Sequence, residues 1–234
     1  MAKLREARRC LQRSPSTGWL LAMLTSPRSL FYFVNREQHS YATMAEVPPF
    51  VSDAIPWFVI LIIVELIVSA LQGVERYNLK ETLCSFSLGI VSQICGIPLQ
   101  VLAMACYAAT YEHLRLFTVP YDSALCWWAL VLGVDLGYYW LHRYCHEFHS
   151  GWLGHSVHHS GQFYNFATAL RQGTAQGGAN CFFYLPLALL GLPQPMFVAH
   201  KSFNLLYQYW IHTEAVCTRA FAPFPPMVSL FLPQ

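Results

Sequence analysis

Charge is scarce in this chain. Lys, Arg, Asp and Glu make up 11% of its 234 residues, against about 25% in an ordinary soluble domain. So few charges cannot cover a body that faces water on every side. Apolar residues reach 55%, above the roughly 45–50% of soluble proteins. A net charge of +2 with no basic stripe leaves out the electrostatic footprint that nucleic acid demands. The eight cysteines include no C-x-x-C pair, and Cys84, Cys95, Cys106, Cys126, Cys145, Cys181 and Cys217 lie in or beside apolar runs. This excludes the usual thiolate zinc modules and reads as buried free thiols in a reducing compartment. Internal repeats and low-complexity tracts are absent too, which excludes a solenoid.

What is present is a series of long apolar runs. Residues 1–45 are expected to form a basic N-terminal tail, with Lys3, Arg5, Arg8, Arg9 and Arg13 against Glu6 alone in its first part. A cytosolic tail is the simpler reading and a transit peptide the alternative. Residues 46–234 are expected to form one all-α, multi-spanning membrane domain. Within it, residues 51–72 give 22 residues, about 33 Å of helix, enough for a hydrocarbon core of about 30 Å. Glu65 interrupts this run and is expected to face the bundle interior, because a carboxylate against lipid is expensive. Residues 83–110 hold Gly89, Gly96 and Pro98 and read as one kinked span or two half-spans. A third run covers 123–141, and a last pair covers 181–192 and 196–211, broken at Pro193 and Pro195.

Six of the ten histidines fall between His142 and His159. His142 and His146 are four residues apart, which places both imidazoles on one helix face. At 100° per residue, Asp135 and Tyr139 lie within about 40° of the same line, so Asp135 is a candidate to hold a ring N–H and fix its tautomer. His155, His158 and His159 are again spaced to share a helix face. Gly151 and Gly154 lie between the groups and are expected to permit a turn that lets the two sets converge. Burying so many imidazoles without partners would cost several kcal/mol, so they read as metal ligands. Many neutral imidazoles suit Zn, Cu, Fe or Ni. The histidines exceed what one tetrahedral zinc needs, which favours two metals.

The stretches GVDLGYYWLHRYCHE, WLGHSVHHSGQFYNFATALRQ and FNLLYQYWIHTE resemble the fatty acid hydroxylase and sterol desaturase superfamily, and within it the branch that cleaves glyceryl ethers. The likeness runs from about residue 46 to 223. It implies a di-iron centre held by histidines that activates O2. It also implies hydroxylation of the carbon beside the ether oxygen of an alkylglycerol, with tetrahydrobiopterin as electron donor and a fatty aldehyde as product. By resemblance His142, His146, His155, His158 and His159 would be iron ligands, and His212 a further one. Glu147 matches a carboxylate that serves as a ligand or supports one. His200 is a weaker candidate, and His149 matches no histidine box. Tyr164, Asn165, Arg171 and Gln172 would order the cluster or meet a lipid head group. Endoplasmic reticulum membrane is the implied location, with the site facing the cytosol and the basic tail on the same side.

The superfamily carries a third H-x-x-H-H box, and no histidine follows His212 here. On that ground this 234-residue form is expected to have an incomplete ligand shell and not to turn over. Two other readings fit the same residues: a sterol or sphingolipid hydroxylase or desaturase of the same superfamily, and a non-catalytic membrane binding protein.

Overall fold

The computed structural model describes residues 34–174, 176–210 and 212–214, with the side chains of 176–181 outside that description. The basic stretch that suggested a transit peptide lies outside the described residues. Those that are described form helices and connectors with no strand, the all-α architecture expected. The helices are α1 (Phe50–Gln72), α2 (Leu79–Leu114), α3 (Ala124–Glu147), α4 (His149–His155), α5 (Phe166–Ala169), α6 (Gln176–Leu189) and α7 (Gln194–Trp210). Single 3-10 turns occupy Met44–Glu46 and His158–Ser160.

Among the described residues three helices, α1 to α3, are long and apolar enough to cross a membrane. In α1 the outward stripe is Ile55, Val59, Ile63 and Ile67, while Ala54, Ile62, Glu65 and Ser69 face inward. Apolar residues at four-residue spacing on the outside are the pattern lipid selects, and water would penalise so large a patch. Gly73 ends α1 at φ +66°. Its N–H reaches the Ala70 carbonyl and the Val74 N–H that of Ser69, the closure that a left-handed glycine allows. Asn78 starts α2 by accepting the Lys80 N–H at 2.9 Å. Residues 83–110, open in the sequence between one span and two, belong to a single 36-residue helix with Pro98 inside it. Ser123 caps α3 through the Cys126 N–H at 3.0 Å, and α3 runs on through both histidines of the first box.

The helices α6 and α7 form a hairpin packed inside the three long ones, α6 against α2 and α3, and α7 against α3 and α1. Phe197, Phe203 and Leu206 of α7 are fully buried with Leu130 and Val134 of α3. The hairpin turns at Gly191 (φ +81°), whose α-carbon lies so near the Phe117 carbonyl that a β-carbon would sit 2.0 Å from it. Residues 34–46, expected as tail, pack on this hairpin instead. Tyr41 is buried and its N–H meets Met196 Sδ at 3.2 Å, while the His39 and Phe50 rings lie against Phe203. Aromatic burial fixes this segment where charge composition alone pointed to a loose tail.

Candidate metal centre

The last turn of α3 carries His142 and His146 on one face, as their spacing requires. Phe148 then adopts an extended conformation (φ −112°, ψ 133°), stops α3 and starts α4. The reversal therefore falls at Phe148, and not at the glycines. Gly151 sits inside α4 and Gly154 near its end. A β-carbon on Gly151 would lie 2.7 Å from Cys145 Cα, so this glycine serves close helix approach. The chain leaves α4 at His155 and makes a 3-10 turn at His158–Ser160, a tighter path than the regular helix expected.

These local shapes bring four Nε2 atoms together. His142 Nε2 lies 3.0 Å from His155 Nε2 and 3.0 Å from His146 Nε2, and His155 Nε2 lies 3.1 Å from His159 Nε2. All four ligand atoms are within 4.8 Å of one another. An imidazole nitrogen has one in-plane site, either a lone pair or an N–H. A chain of three contacts among four such nitrogens cannot consist of three hydrogen bonds, because the inner atoms are each used twice. A cation satisfies all four lone pairs at once. An ion about 2.1 Å from each nitrogen places ligands at right angles about 3.0 Å apart, the spacing found here, where tetrahedral ligands would lie about 3.4 Å apart. The residues fit a metal ion held by imidazole.

His158 and His212 stand beside this tetrad, their ring centres 5.4 Å apart, with His158 stacked 5.4 Å from His155. His158 Nδ1 donates to the Arg171 carbonyl at 2.8 Å, and His212 Nδ1 donates to the Gln208 carbonyl one helical turn back. Each bond assigns the proton to Nδ1 and leaves the Nε2 lone pair for a ligand. Burial pushes His159 and His212 down to about 4, with neighbouring imidazoles adding to the cost of charge. His158 is lowered by burial as well, partly offset by the Arg171 carbonyl. These rings are held neutral, the form that binds metal.

Other sequence candidates fall in different places. Asp135 Oδ1 accepts from Asn204 Nδ2 of α7 at 2.8 Å, two turns below His142. Glu147 pairs with Arg143 at 2.8 Å on the outer surface of α3, and both are about half exposed. His149 is exposed. His200 is fully buried against Trp127, with ring centres 4.6 Å apart and edge to face, away from the cluster. Asn165 caps α5 and donates to the Arg76 carbonyl at 2.6 Å. Arg171 is buried, paired with Glu81 at 3.2 Å and touching Cys84 Sγ at 3.1 Å. Tyr164 stacks on His212 at 5.3 Å. Three of these four polar residues thus order the segment under the second box, and Gln172 joins them through the Ala169 carbonyl at 3.1 Å. Two supports escaped the sequence reading. The Gln208 carbonyl was legible from its spacing of four before His212. The contact of Gly173 with Gly154, where a β-carbon on Gly173 would fall 1.8 Å from the Gly154 carbonyl oxygen, carries no local signal. Beside the cluster lies a cavity of about 450 Å³, lined among others by Tyr138, His142, His158, His159, Gln208 and His212.

Residues 127–232 match the family model for fatty acid hydroxylase. That segment holds the whole histidine cluster. The chain is 42% identical over 190 residues to the alkylglycerol monooxygenase of Homo sapiens, covering 81% of this chain and 42% of that protein. It is 41% identical to the same enzyme of Danio rerio over an equal length. To that of Caenorhabditis elegans it is 29% identical over 196 residues, 83% of this chain and 39% of the other. The chain therefore spans about two fifths of the length of these relatives. No solved structure matches it.

Proposed function

We propose that this chain is the iron-binding part of a multi-pass membrane monooxygenase that acts on glyceryl ethers. The observation that carries the proposal is the convergence of His142, His146, His155 and His159 through four Nε2 atoms, in a chain 41–42% identical to two alkylglycerol monooxygenases. Iron bound there supplies O2 activation for C–H hydroxylation, with tetrahydrobiopterin as the electron donor. The carbon attacked is the one beside the ether oxygen, and the resulting hemiacetal collapses to a fatty aldehyde and a free glycerol hydroxyl.

The chain's own residues prepare that reaction. The tetrad would hold the ion at the end of α3, and the carbonyls of Arg171 and Gln208 fix the Nδ1 protons of His158 and His212 and leave their Nε2 lone pairs for a ligand. Asp135 fixes the height of α3 against α7 through Asn204. Glu147 steadies Arg143 at the rim. The polar-lined cavity beside His158 and His159 seats the head group, while the outward Ile and Leu faces of α1 and α2 keep the alkyl chain's environment apolar. The endoplasmic reticulum membrane is the proposed location, where ether lipids are present in the bilayer.

The test is iron content and ligand binding of the chain purified from membranes. Iron should be bound by the wild type and lost in His155→Ala, and alkylglycerol should bind the iron-loaded chain in preference to a sterol. Equal iron in both proteins, or preference for a sterol over the ether lipid, would overturn the proposal.

A further inference from the structure

Glu65 is a carboxylate inside the first membrane-crossing helix, 2% exposed, and lies outside the histidine cluster. A group so costly to bury in that setting needs a compensating set of donors. It has three. Its Oε2 accepts the Tyr77 hydroxyl and the Phe166 backbone N–H, the latter at 2.9 Å, and its Oε1 accepts the Thr213 hydroxyl. The three donors come from three different segments: the loop after α1, the start of α5, and the stretch after α7. Two of those segments reach the centre directly. Thr213 follows His212 in the chain. Phe166 opens the short segment that ends at Arg171, whose carbonyl holds the His158 ring. No donor comes from α4 or from the end of α3, where three of the tetrad's four histidines sit.

From this we infer that Glu65 is a positioning residue for the His158/His212 pair, setting the separation of the two rings from across the bundle, while His142, His146 and His155 are placed independently by α3 and α4. The inference deepens the metal-centre reading above, although its measurement does not depend on iron or on turnover. A carboxylate can accept at both oxygens. Glu65→Leu removes both acceptor oxygens and with them all three bonds at once. Thr213→Val is the milder change. It keeps side-chain shape, leaves the Tyr77 and Phe166 bonds in place, and cuts only the tie beside His212.

The experiment is carbethoxylation of the whole protein in lipid nanodiscs by diethyl pyrocarbonate, read residue by residue by mass spectrometry. His212 and His155 are both buried in the wild type, at 8% and 3% exposure, and both should react slowly. In Thr213→Val His212 should modify roughly tenfold faster, the population change expected from one lost buried hydrogen bond, and in Glu65→Leu at least as fast, while His155 keeps its rate. Unchanged His212 reactivity overturns the inference. So does an equal rise at His155, since that would mean general loosening. If iron binding fails in the wild type while His212 responds selectively, it is the oxygenase reading that falls and the positioning role that stands.

Discussion

Gly173 offers a test of how the centre is braced, because the residue touches no ligand. Its φ is not in the left-handed region, so alanine there brings no backbone strain, only a methyl group. That methyl would lie 1.8 Å from the Gly154 carbonyl oxygen and 2.9 Å from its carbon. Contacts below 3.0 Å essentially do not occur, so the two backbones must part by more than an ångström. Neither is a flexible side-chain end that could swing aside. Overpacking of this kind costs roughly 1–3 kcal/mol. The displacement also acts on function. Gly154 immediately precedes His155, and Gly173 lies two residues after Arg171, whose carbonyl fixes His158. Loss of such a ring support typically lowers metal affinity about 10–100-fold. Gly173→Ala should therefore melt several degrees below wild type and bind metal at least tenfold more weakly, by thermal unfolding and by titration with Fe(II) or Co(II). Gly96→Ala is the control, since a β-carbon there meets only the Gln100 side chain at 3.4 Å. Wild-type metal affinity in Gly173→Ala would refute the reasoning.

Three other expectations follow from the same geometry. His159 and His212 titrate near 4 in the folded protein against about 6.5 unfolded, so protons favour the unfolded state. Metal-free protein should then hold its melting temperature above pH 6.5 and lose it steadily between 6.5 and 4; a rise on acidification from pH 7 to 5 would contradict this. His200→Phe should leave metal affinity unchanged, because His200 is buried against Trp127 and not in the tetrad; a drop on titration would make it part of the centre. Ile63→Lys places a charge on the lipid face of α1, at a penalty of about 2.5–3.5 kcal/mol near the bilayer centre, and should reduce membrane insertion in a glycosylation-reporter assay, whereas Ile63→Leu should not.

Much of this was legible because helix periodicity is a local property. The spacing of His142 and His146 needed only a helix that continues, and α3 does continue. The interior position of Glu65 followed from what lipid excludes. The second box shows where local reasoning stops. Its members meet as expected, yet by a helix end and a 3-10 turn, because the short α4 is closed off at His155. Glycine is the letter that misled most. It serves both where a turn needs unusual φ and where two backbones nearly touch. Gly151 and Gly154 serve the second purpose, and their neighbours Cys145 and Gly173 are known only from the fold. Asp135 sits on the stripe that its spacing from His142 predicts, but Asn204, 69 residues away, reaches its carboxylate. Pairings at such separation leave no periodic trace.

The order of the three long helices has a consequence for sidedness. Successive crossings alternate in direction, so an odd number leaves the chain on the far face from where it entered. Tyr41, the connector after α2 and the turn at Gly191 gather at one end of the bundle, as the contacts of Met196 with Tyr41 and of Leu189 with Leu116 require. Arg76, Glu81, Arg171 and the histidines gather at the other. Three full crossings therefore place Tyr41 and the histidines on opposite faces of the membrane. A protease added outside sealed vesicles should reach one of these two ends and spare its opposite.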